Sequence, residues 1–125
     1  MTASLAGKRI LVVDDEEMIA TLLKSALEDE DCTVLGPFER VALALEPART
    51  ETIDFALLDV NVAGEKIYPV AETLDRRGIP FLLLSGYGED DRPADRAHWK
   101  VFGKPFNIIA MVTAIRQALA DPTAV

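Results

Sequence analysis

The sequence predicts an α/β domain: a parallel β-sheet covered by helices on both faces. Three observations point there. Ile10-Leu11-Val12-Val13, Phe55-Ala56-Leu57-Leu58 and Phe81-Leu82-Leu83-Leu84 are short runs with no polar member, as expected of strands buried on both faces. Several of the segments between such runs place apolar residues near a 3.6-residue spacing. Strand and helix patterns also alternate along the whole chain, and right-handed crossovers then leave few topologies for five strands.

In order, Lys8 to Val13 reads as the first strand. Glu17 to Glu30 reads as a helix, with Ile19, Leu22, Leu23, Ala26 and Leu27 on one side. Thr33 to Leu35 is a short strand closed by Gly36-Pro37. Arg40 to Ala48 is a short helix in which Pro47 marks the end. Ile53 to Asp59 is the third strand, and Glu65 to Arg77 a helix stopped by Gly78, with Pro69 in the first turn, where proline is tolerated. Pro80 to Leu84 is the fourth strand, and Val101 to Gly103 the core of a fifth. Asn107 can cap a last helix carrying Ile108, Ile109, Met111, Val112, Ile115 and Leu119. Glu89 to His98 is charged and broken by Pro93, so a short or irregular helix is expected there.

At 125 residues the chain suits one domain, 1–125, and the last helix reaching Ala120 leaves only a short tail, so no output domain is expected. A net charge of −8 disfavours nucleic acid and favours a protein partner or a cation. No apolar run approaches the roughly 20 residues of a membrane-spanning helix. Met1 to Gly7 lacks the pattern of a signal peptide. A single cysteine, Cys32, fits a cytoplasmic location and reads as a small residue at a strand edge. His98 reads as a surface residue.

Chemistry concentrates where apolar strands run into polar groups: Asp14-Asp15 after the first, Asp59 at the end of the third, Ser85-Gly86 after the fourth and Lys104-Pro105 after the fifth. In an open parallel sheet ligands bind outside the carboxyl ends of the strands. Three carboxylates converging there repel one another and call for a cation. Hard oxygen donors make Mg²⁺ the natural one, with the backbone carbonyl of Asn61 as a further donor. A carboxylate nucleophile at Asp59, a divalent cation, the Ser85 hydroxyl and the Lys104 ammonium together describe formation of an aspartyl phosphate.

Val13-Asp14-Asp15-Glu16, Leu57-Leu58-Asp59-Val60-Asn61, Ser85-Gly86 and Lys104-Pro105-Phe106 resemble, in this order, the receiver domains of two-component response regulators. The resemblance implies a flavodoxin-like, CheY-like three-layer sandwich with strand order 2-1-3-4-5. It also implies that Asp59 accepts phosphate from a sensor histidine kinase, and that Asp14 and Asp15 bind Mg²⁺ directly or through water. Ser85 and Lys104 would contact the phosphoryl group, and the Lys104-Pro105 bond would be cis. Asn61 and Tyr87 would flank the path of the hydrolytic water. Tyr68-Pro69-Val70-Ala71 and Ser85-Gly86-Tyr87-Gly88 are similar to an atypical alphaproteobacterial subfamily named for a Phe-Ala-Thr-Gly-X-Tyr signature. Most receivers carry an aromatic switch residue where this chain has Val101, and Tyr87 is the candidate substitute.

The leading expectation is therefore a stand-alone phosphoacceptor that is not a turnover enzyme. It would signal by protein contact, pass phosphate to a histidine phosphotransfer protein, act on a downstream regulator or serve as a phosphate sink. A monomer or weak homodimer is expected, without membrane insertion. Met18 and Leu22 widen the apolar stripe of the first helix and offer a patch for a helical partner. Two alternatives stand beside this. One is a pseudo-receiver that binds without being phosphorylated. The other is a haloacid-dehalogenase-type phosphatase, against which speaks the position of the aspartate after the third strand.

Overall fold

The computed structural model describes residues 4–86 and 92–120. Five strands, β1 (Arg9–Val13), β2 (Thr33–Phe38), β3 (Phe55–Asp59), β6 (Phe81–Ser85) and β7 (Lys100–Gly103), form one sheet in the order β2-β1-β3-β6-β7. All four pairings are parallel. With β4 (Asn61–Val62) and β5 (Glu65–Lys66) set aside as a separate small hairpin, this is the expected 2-1-3-4-5 order of the CheY-like flavodoxin fold.

Period-two alternation divides each apolar strand between two cores. Leu11, Val13, Ala56, Leu58, Phe81 and Leu83 pack under α2 (Val41–Thr50) and α3 (Tyr68–Arg76). Ile10, Val12, Phe55, Leu57, Leu82 and Leu84 pack under α1 (Glu17–Asp29) and α4 (Ile108–Ala120). Both faces of the sheet are covered by apolar side chains, so the strands need no polar face. This is why the sequence shows unbroken apolar runs. Asn107 caps α4 as expected: its Oδ1 accepts the Ile109 and Ala110 amides at 2.8 and 3.2 Å.

Most boundaries fall within two residues of the sequence expectation, and three differ for a physical reason. Pro47 does not end α2, which runs on to Thr50; the Glu51 amide still bonds the Pro47 carbonyl at 2.9 Å. The second strand does not stop at Leu35. It passes Gly36-Pro37 through an irregularity, so that Leu11 faces Leu35 while Val13 faces Phe38. Gly36 makes this possible, because its φ is +97° and a Cβ there would lie 2.6 Å from the Phe38 nitrogen. The third helix starts at Tyr68, not Glu65, since Glu65 and Lys66 pair with Val62 and Asn61 around a turn at Ala63 (φ +50°) and Gly64 (φ +83°). The fifth strand contains its expected core, Val101 to Gly103, and adds Lys100.

Between β6 and β7 the described residues hold only a 3₁₀ turn, Ala94–Arg96, in keeping with the expected short helix. Trp99 closes this edge instead. It is 3 % exposed and packs edge-on against Phe81 with ring centres 5.5 Å apart. Arg96 lies over its ring and forks onto Glu72 with two 2.9 Å hydrogen bonds. Cys32 is buried beside β2, and His98 is exposed with Nε2 3.3 Å from Asp75. Lys104-Pro105 and Gly36-Pro37 are cis. Among the described residues no helix is long and apolar enough to cross a membrane.

Candidate functional site

The parallel register brings four strand ends level. Asp59 pairs with Leu84 and Ser85 with Gly103, while Val13, the residue before Asp14, pairs with Leu58, the residue before Asp59. The Lys104 amide then donates to the Ser85 carbonyl at 2.8 Å, which fixes the start of the loop after β7. Residues more than forty positions apart in sequence thus meet at one mouth.

Asp14, Asp15 and Asp59 each present a carboxylate oxygen within 4.8 Å of the others. Asp14 is 2 % and Asp59 6 % exposed, whereas Asp15 lies open to solvent. Asp14 Oδ1 accepts the Glu16 amide at 2.9 Å. Asp15 Oδ2 accepts the Ala63 amide at 3.0 Å, so the β4–β5 turn is tied to the acidic cluster. Lys104 Nζ stands 3.3 Å from Asp59 Oδ1, 3.2 Å from Glu16 Oε1 and 3.9 Å from Asp14 Oδ2. Ser85 ends β6 and is buried. Asn61 opens the hairpin two residues past Asp59 and is exposed.

Burial and the neighbouring Asp14 charge push the Asp59 carboxyl up to about 6, against the pull of Lys104. Burial likewise raises Asp14, against its hydrogen bond from Glu16 and the Lys104 charge. Burial alone would lower the Lys104 pKa. Asp14 and Asp59, with hydrogen bonds to Glu16 and Asp59, outweigh it and hold the ammonium charged. One lysine is thus set against three clustered carboxylates and Glu16.

The cluster fits a hard divalent cation. Among the described residues Asp14 Oδ2 is a buried acceptor without a hydrogen-bond donor, a costly state unless a cation stands in for the donor. The donor set is all oxygen, the preference of Mg²⁺.

Residues 10–116 match the family described as response regulator receiver domain. The chain belongs to that family. Receivers are signalling switches, bind Mg²⁺ at their acidic site and interact with histidine kinases. Among solved structures this receiver is similar to SdrG from Sphingomonas melonis Fr1, with 38% identity and a TM-score of 0.77, covering 95% of this chain and 100% of that one. The receiver domain of a sensor histidine kinase from Pseudomonas aeruginosa PAO1, described with a magnesium ion in its active-site cleft, superposes with a TM-score of 0.79 over 93% of this chain and 100% of that one. At 19% identity it speaks for the fold alone. The regulatory protein VanR of Enterococcus faecium is 28% identical over 89% of this chain and 49% of its own length. The receiver spans about half the length, or less, of several curated relatives that it matches.

Two members of the site carry no signal of their own in the sequence. Glu16 stands there only as the last residue of the Val13-Asp14-Asp15-Glu16 motif, and its contact to Lys104 spans 88 positions. Ala63 acts through its backbone, which no side-chain pattern signals. Val101 is half-buried against the α2–α3 layer. Tyr87, the candidate switch residue, and Glu89 to Asp91 lie outside the described residues.

Proposed function

We propose that this receiver accepts a phosphoryl group on Asp59 from a sensor histidine kinase, in a reaction that needs Mg²⁺. The observation that carries the reading is the meeting of Asp14, Asp15 and Asp59 within 4.8 Å, with Lys104 Nζ 3.3 Å from Asp59. Asp14, Asp15, Asp59 and the Asn61 carbonyl would hold the metal. Bound there, Mg²⁺ supplies charge neutralisation for the phosphoryl oxygens and screens the carboxylates from one another. An Asp59 oxygen forms the new O–P bond as the N–P bond of phosphohistidine breaks and the imidazole leaves with a proton. Lys104 neutralises one phosphoryl oxygen, and the Ser85 hydroxyl donates to another. Water later cleaves the acyl phosphate, and Asn61, beside Asp59, tunes that lifetime.

The output is read as protein contact from a cytoplasmic receiver. The reading extends to the atypical Phe-Ala-Thr-Gly-X-Tyr subfamily on the likeness of Tyr68-Pro69-Val70-Ala71 and Ser85-Gly86-Tyr87-Gly88 to its motifs. Leu22, 51 % exposed on α1 beside the Lys104 loop, and Met18, 86 % exposed and lining a neighbouring groove with it, suit a kinase or phosphotransfer helix. Met18→Asp is expected to weaken kinase binding and leave reaction with small phosphodonors intact.

Incubation with Mg²⁺ and acetyl phosphate, followed by intact-protein mass spectrometry, tests the central claim. One phosphoryl adduct is expected, lost in Asp59→Asn. An unmodified wild-type protein would instead favour a pseudo-receiver binding module.

A further inference from the structure

We propose that Glu16 is a positioning residue that holds Lys104 at the mouth of the site and so limits how readily a phosphoryl-like anion is admitted. The inference rests on the phosphoacceptor reading above and concerns the step before transfer. Lys104 Nζ is nearly equidistant from Glu16 Oε1 (3.2 Å) and Asp59 Oδ1 (3.3 Å). An incoming anion at Asp59 needs that ammonium, and Glu16 competes for it.

The geometry lets Glu16 compete without joining the acidic cluster. Its side chain is 57% exposed and Lys104's 16%, and the group of oxygens suited to a cation contains Asp14, Asp15 and Asp59 but not Glu16. Its backbone is fixed, because its amide donates to Asp14 Oδ1 and its carbonyl accepts the Ala20 amide as α1 begins. A Glu side chain just reaches Lys104 from there, whereas an Asp, one methylene shorter, falls short. Charge and reach can therefore be separated.

The test is titration of beryllofluoride, a tetrahedral phosphoryl analogue, into Mg²⁺-saturated protein by calorimetry, for wild type, Glu16→Gln and Glu16→Asp. A half-exposed ion pair of this kind is worth at most about 1 kcal/mol, so both variants should bind beryllofluoride about threefold to fivefold tighter than wild type. In metal-free protein, the side-chain ammonium resonance of Lys104 should shift and broaden in both. Tighter binding by Glu16→Gln with Glu16→Asp matching wild type would overturn the proposal, because a simple repulsive charge would then suffice. Unchanged or weaker binding by both variants would overturn it as well. Wild type that neither binds beryllofluoride nor gains a phosphoryl adduct would remove the phosphoacceptor reading itself, and this proposal with it.

Discussion

Replacing Asp59 with Asn should stabilise the metal-free protein, although it removes the proposed phosphoacceptor. Asp59 titrates at about 6 in the folded chain against an ordinary 3.8. Ionising it therefore costs about 3 kcal/mol more in the folded than in the unfolded state. Between those pH values the folded protein keeps a proton that the unfolded chain releases. Stability accordingly falls as pH climbs through that window and stays low above it. Asn carries no charge and escapes the loss. Asp14 titrates together with Asp59 and Lys104 loses a partner in the variant, so the net gain near neutral pH should be about 1–3 kcal/mol. For a chain of this size that is roughly 4–10 °C in Tm. Urea unfolding in EDTA, followed by Trp99 fluorescence, gives the measurement. Wild type and variant should converge near the acid end of the window and separate above it. Mg²⁺ should then stabilise wild type more than the variant and narrow the gap. Equal stabilities at neutral pH without metal, or a gap of the same size in acid, would refute the electrostatic reasoning.

Removing the cation of the site should act in the opposite direction. Lys104→Met is expected to cost about 2–3 kcal/mol near neutral pH and much less in acid, where the carboxylates are protonated, as paired denaturation curves would record. Asn107→Ala removes the two cap hydrogen bonds of α4 and should cost about 1 kcal/mol by the same assay, with no change in Mg²⁺ affinity. Trp99→Ala opens the edge beside Phe81 and should cost about 3–5 kcal/mol by chemical unfolding followed by circular dichroism. Its Mg²⁺ affinity should stay within about twofold, because Trp99 packs in the α2–α3 layer, not at the acidic cluster.

The layer arrangement was legible because each central strand is apolar on both sides. Phe55 and Leu57 cannot share a face with Ala56 and Leu58, so two covering layers follow from four consecutive letters. The site was legible for a related reason. A polar residue directly after such a strand has only the strand mouth to occupy, and Asp14, Asp59, Ser85 and Lys104 all stand there. Where local signals misled, backbone hydrogen bonding overrode them. Gly36-Pro37 looks like a terminator, but pairing of Phe38 with Val13 carries the strand past it. Glu65 and Lys66 look helical, but the turn at Ala63-Gly64 folds them back onto Asn61 and Val62.

The sequence by itself thus determined the alternating elements, their two-sided burial and the residue types at the strand ends, since all of these are written in short-range spacing. Only the tertiary structure decided how one ammonium is shared between Asp59 and Glu16, how the Ala63 amide holds Asp15, and how Trp99 closes the edge beside Phe81. Those contacts join distant segments through distances of a few ångströms, and one-dimensional periodicity carries no record of them.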